Sequence, residues 1–90
     1  ASTMIPCMPP YDARTKECEA FVIRRGFDGT ATVEVRWGEG LKRRILFVKG
    51  KPVAADATAA LSVERRGDVS VVHFGSDERF EIPDALLTGG

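Results

Sequence analysis

Thr30-Ala31-Thr32-Val33-Glu34-Val35-Arg36-Trp37 is the stretch whose reading decides the fold. In an extended chain Ala31, Val33, Val35 and Trp37 face one way, and Thr32, Glu34 and Arg36 the other. Such period-two alternation describes a strand with one face on a core and one in water. Gly38-Glu39-Gly40 comes next as a turn, and the rhythm repeats downstream. Leu41–Val48 leads to Lys49-Gly50-Lys51, Leu61–Arg66 to Gly67-Asp68, and Val69–Phe74 to Gly75-Ser76-Asp77. Runs rich in Val, Ile, Phe and Thr, bounded by Gly and Asp, read as strands joined by hairpins.

Working outward, Glu19–Arg25 offers an earlier strand, closed by the turn Gly26-Phe27-Asp28-Gly29. Glu78–Ile82 adds a last one, and Pro83 stops its ladder because proline has no N–H to donate. Pro83–Leu87 suits a single helical turn whose Leu86 and Leu87 plug an open end of the sheet. Pro52–Ala60 permits a helix by propensity, which would give an α+β arrangement of the β-grasp kind with a diglycine tail at Thr88-Gly89-Gly90. It is short and lacks a hydrophobic stripe, so it reads instead as a loop carrying a short edge strand. The expectation is an all-β domain: a small antiparallel meander or barrel of about six or seven strands over residues 19–90, preceded by an arm at residues 1–18. Pro6, Pro9 and Pro10 are expected to keep regular structure out of that arm.

Composition sets further bounds. Ninety residues make one domain, since domains usually hold roughly 100 residues. Apolar content of 43% and charge content of 29% suit a packed chain rather than a disordered tail. No apolar run, Ile45–Val48 included, is long enough to cross a bilayer. No basic-then-apolar leader is present, so an export signal is expected to have been removed or never present. Thirteen basic residues balance thirteen acidic ones and alternate with them. A surface of mixed sign argues against general attraction to nucleic acid or anionic membrane.

Cys7 and Cys18 enclose a polar, turn-rich segment with two prolines. An even cysteine count near one end of a short chain favours a local disulfide in an oxidising compartment. Two cysteines and one distant histidine fall short of a metal site, and the spacing is not that of a redox motif. Neither metal nor cofactor is expected.

The motifs that tempt are turn residues first. Arg66-Gly67-Asp68 spells an adhesion tripeptide, but glycine and aspartate between two strands are what a tight hairpin demands. His73 is the only histidine, and a relay would need a nucleophile and an orienting acid beside it. Glu34, Glu64 and Glu81 alternate with apolar neighbours and read as solvent-facing strand residues. No catalytic residue is assigned. Arg24-Arg25, Lys42-Arg43-Arg44 and Arg65-Arg66, with Trp37, Phe47 and Phe74, could imitate a nucleic-acid-binding β-barrel, with Arg43 and Arg44 as its cations.

Gly29-Thr30-Ala31-Thr32-Val33-Glu34-Val35, Leu46-Phe47-Val48-Lys49-Gly50-Lys51-Pro52, and Glu78-Arg79-Phe80-Glu81-Ile82-Pro83-Asp84-Ala85 with the later Gly89-Gly90 occur together here. The combination resembles small exported or lipoprotein-type domains of proteobacteria whose function is uncharacterised. The resemblance spans most of residues 18–90 and implies a periplasmic or secreted location, with a lipoprotein as one full-length form. It transfers no catalytic residue. The function expected is a non-catalytic binding or accessory module of the bacterial envelope or exterior. Leu41–Val48 ends apolar on both faces, so a partner is expected at an exposed sheet edge or at the patch around Trp37, Leu46 and Val48. The alternative is the nucleic-acid-binding barrel.

Overall fold

The computed structural model describes residues 2–9, 16–25, 29–57, 59–76 and 78–87, with side chains omitted at 24 and 25. The readings placed on Pro10, on Gly26-Phe27-Asp28, on Asp77 and on the Thr88-Gly89-Gly90 tail lie outside these residues. The chain forms β1 (Ser2–Met8), β2 (Lys16–Arg25), β3 (Thr30–Gly38), β4 (Leu41–Val48), β5 (Lys51–Ala55), β6 (Leu61–Arg66), β7 (Val69–Phe74), β8 (Glu78–Pro83) and a one-turn helix α1 (Asp84–Leu87). All strand pairs are antiparallel, in the order β5-β4-β3-β2-β1-β8-β7-β6. The fold is all-β, and the sheet curls into a nearly closed barrel.

The curl arises from the alternation. Inward residues of every strand meet in one core that includes Ile5, Ala20, Val33, Val35, Ile45, Phe47, Val72, Phe74, Phe80 and Ile82. Register shifts at Val22/Arg24, Arg36/Gly38 and Leu46/Phe47 add local twist where the strands must bend. Phe80 sits centrally, with the Trp37 ring 5.8 Å and the Phe74 ring 6.0 Å away. Leu86 is buried and plugs one end, as α1 was expected to do. The short edge strand expected within Pro52–Ala60 is β5, at one end of the sheet.

The N-terminal segment departs from expectation. Ser2–Met8 is a strand, paired with β2 from Ser2 to Cys7. Pro6 is tolerated because β8 joins β1 only at Cys7 and Met8. Along Ser2–Pro6 no described strand pairs with the far side of β1, and such one-sided positions are where sheets accommodate proline. Among the described residues there are therefore eight strands rather than six or seven.

The expected Cys7–Cys18 disulfide is present. Register pairs Cys7 with Lys16 and Ile5 with Cys18, so the cysteines are diagonal neighbours on the inner face, 5.9 Å apart at Cα. Both are fully buried. A structural disulfide of this kind implies an oxidising, extracytoplasmic setting.

Two tight hairpin turns fix where β5 and β6 begin and end. Lys49 and Gly50 both have positive φ, 52° and 82°, the form of two-residue turn that matches strand twist. Gly67, with φ 59°, opens the other two-residue turn, so Gly67-Asp68 is the hairpin tip its sequence implied.

Candidate functional site

The residues expected to meet a partner do not form one patch. Trp37 shares the inner face with Val35 and leans on Phe80. Leu46 and Val48 point outward on β4, with Leu46 36% exposed, while Ile45 and Phe47 fill the core. Register places Val48 opposite Thr30 and Leu41 opposite Gly38, so Trp37 and Val48 lie at opposite ends of the β3–β4 ladder.

The two arginines of the nucleic-acid reading are both engaged. Arg43 points inward, where Nε and Nη2 donate to the Glu78 carboxylate at 2.6 and 2.9 Å. Its Nη1 donates to the Asp56 carbonyl at 2.9 Å, and its guanidinium lies 5.5 Å from the Phe74 ring centre. Arg44 points outward, and its Nε donates to Glu34 at 2.9 Å. A phosphate would have to displace carboxylates from both.

Glu34 corrects the expectation of a solvent-facing strand residue. It lies on the outer face, yet its side chain has no solvent access. Cross-strand neighbours explain this: Phe21 on β2 and Arg44 on β4 flank it, and Arg36 donates to it from its own strand. Burial works against its charge, but hydrogen bonds from Arg44 and Arg36, with the nearby Lys42, hold its carboxyl below the usual range. A carboxyl depressed on folding contributes stability that is full above its unfolded value near 4.5 and is lost as pH falls through the folded one. Because Arg36 and Arg44 stay half exposed, Glu34→Gln is expected to cost only about 1 kcal/mol at pH 7. In urea denaturation from pH 7 to pH 2 the two proteins should converge at the acid end. A gap that persists there would show packing, not charge, as the cause.

His73 is about a third exposed. Ser62 lies opposite it in register and Glu64 sits 3.7 Å from its Nε2. This is not a catalytic relay. The acid meets the nitrogen that a serine would need, and the same carboxylate takes hydrogen bonds from Arg66 at 3.3 and 3.4 Å.

The feature that stands out is the seam where the barrel fails to close. β5 and β6 are the two ends of the sheet, and no ladder joins them among the described residues. At the narrow end the short connection and the Arg43–Asp56 contact hold them together. At the wide end a cavity of about 680 Å³ opens, lined by Lys49, Lys51, Pro52, Val63, Arg65 and Leu87 among others. That volume lies within the usual range for ligand pockets, roughly 300–1,000 Å³. Val63 shows how open it is. Its partner Val72 is fully buried on the inner face, yet Val63, on that same face, is 42% exposed.

The two rims differ. β5 carries Pro52 and a bulge at Val53, both of which blunt an edge. β6 pairs regularly with β7 through all its residues and contains no proline. A two-residue hairpin closes on a hydrogen-bonded pair, here Arg66 and Val69. Alternation then gives Glu64 and Ser62 to the β7 ladder and turns the N–H and C=O of Arg65, Val63 and Leu61 into the seam. Arg65 braces the floor: Nη1 and Nη2 donate to the Asp84 carboxylate at 2.9 and 2.8 Å, and Nη1 also donates to buried Ser70 at 2.8 Å. The hydrogen bond from Arg65 holds the Asp84 carboxyl below its usual range. Lys49 and Lys51 have no such carboxylate among the described residues.

Sequence reading named an exposed sheet edge as one candidate surface but not which edge, because it did not place β5 and β6 across a gap. One signal was available: Leu61–Arg66 holds only two apolar residues, Leu61 and Val63, and ends in three consecutive charges. Among the described residues no helix is long and apolar enough to cross a membrane. In comparisons with known proteins, no family model, no curated protein and no solved structure matches this chain.

Proposed function

We propose that the protein is a non-catalytic binding module of the bacterial envelope or exterior, periplasmic or secreted, and that it holds a protein partner at the β5–β6 seam. The observation that carries this reading is the unpaired, proline-free β6 edge beside an apolar-lined cavity. A strand that presents free backbone groups is a template for pairing with another chain. The disulfide supports the location, and the resemblance to exported proteobacterial domains supports the source.

The test is partner capture from a proteobacterial envelope extract, with Val63→Pro as the probe. Proline there removes a seam-facing donor and leaves the β6–β7 ladder intact. Capture is expected to fall at least tenfold for Val63→Pro, and to persist for Trp37→Ala and Leu46→Ala, with all three folded by circular dichroism. Equal capture by Val63→Pro would overturn the seam as the contact. Loss with Leu46→Ala would return it to the outer face of β4.

A further inference from the structure

We infer that the occupant of the seam is an extended peptide segment that adds as a strand antiparallel to β6, with carboxylates at its N-terminal end followed by alternate apolar residues. This rests on the reading of the protein as a binding module and adds the chemistry of the partner.

The antiparallel ladder sets the direction. A segment so paired begins beside Arg65 and Arg66 and ends beside Leu61. Its first residues therefore lie at the wide end, where Lys49 and Lys51 line the cavity. Arg65 and Arg66 are already matched by Asp84 and Glu64, and Asp68 adds a third carboxylate beside Arg65, so among the described residues there an excess of one positive charge is left to the two lysines. Carboxylates on the incoming strand would satisfy them. Further along, every second side chain points down onto Val63, Pro52 and Leu87, which select apolar groups.

Lys49 gives independent support. Its φ of 52° is left-handed, a conformation costly for a lysine and natural for Asn or Gly in this turn. A lysine held there against backbone preference lines the cavity. A second copy of the chain fits poorly. Its β6 would bring Leu61 and Ser62 to the lysines, and its Glu64 is already bonded to Arg66.

The experiment titrates ¹⁵N-labelled protein at low salt with acetyl-Glu-Asp-Val-Thr-Val-Thr-amide and, separately, with acetyl-Lys-Lys-Val-Thr-Val-Thr-amide. Saturable shifts are expected at Lys49–Val53 and Leu61–Arg66 with the acidic peptide, together with slowed exchange of the Val63 and Arg65 amides. The lysine peptide should bind at least tenfold more weakly. Lys49→Asn should raise the melting temperature while weakening the acidic peptide several-fold, a combination that a purely structural lysine would not give. Equal affinity for both peptides, shifts confined to Leu46 and Val48, or a concentration-dependent doubling of mass would each overturn the inference. If Val63→Pro abolishes envelope capture while the acidic peptide never saturates, the binding module stands and this partner chemistry falls.

Discussion

Reducing the Cys7–Cys18 disulfide is expected to lower the melting temperature by roughly 12–24 °C. The figure combines about 3 kcal/mol for a loop of this length with about 4–8 °C per kcal/mol in a domain of this size. Domains of this length bury only about 60–65% of their unfolded surface, so the loss is a large fraction of total stability. The structure says where it acts. β1 meets β2 in six register pairs but β8 in only two. The disulfide fastens β1 to β2 from the core side, beside the point where β8 takes over the sheet. Without it the β1–β8 junction has little to hold it, and β1 should exchange its amides ahead of β3 and β4. Melting with and without a phosphine reductant, alongside the Cys7→Ala/Cys18→Ala protein, measures this. A shift below about 3 °C would mean that core packing alone closes the barrel there.

How much of the fold and the seam was legible in the sequence depends on which relation a residue's role requires. β3, β4, β7 and β8 were readable because alternation is local, and β5 because its segment is too short and lacks the hydrophobic stripe a helix would need. The disulfide was readable from cysteine count and position. Glu34 was not. Its cover comes from Phe21 and Arg44, and those neighbours are set by register, which no single strand reveals. Pro6 misled because sheets accommodate proline at one-sided positions, and β1 is one-sided at that point among the described residues. Arg43 was misjudged by composition. It sits beside Lys42 and Arg44 and looks like surface charge, although it shares parity with Ile45 and Phe47, which face the core. Trp37, Leu46 and Val48 were grouped because they are apolar and close in sequence, and only the antiparallel pairing separates them. The seam needed the order of all eight strands.

Arg43 also sets the second large effect. Glu78→Ala is expected to destabilise the fold by about 3 kcal/mol, the low end of the roughly 3–5 kcal/mol for breaking a buried pair. The pair is nearly enclosed, with side-chain exposures of 16% for Arg43 and 6% for Glu78. Removing the carboxylate strands a guanidinium against the Phe74 ring. The Asp56 carbonyl remains as an acceptor, which keeps the loss from the upper end. The double substitution Arg43→Met/Glu78→Met should recover most of the loss, because two apolar side chains of similar volume need no desolvated charge to be matched. Urea denaturation of the single and double variants separates these outcomes. A single-variant cost below about 1 kcal/mol would show that water reaches Arg43 freely. The position of the pair gives the result a second readout. Arg43 binds β8 through Glu78 and the β5–β6 connection through Asp56, so it ties shut the narrow end of the seam whose wide end is open. If the double variant regains stability yet leaves β6 exchanging faster than in the wild type, the buried pair serves the shape of the seam. Melting temperature alone would not show that, since a strand held at one end and free at the other is what an incoming strand needs.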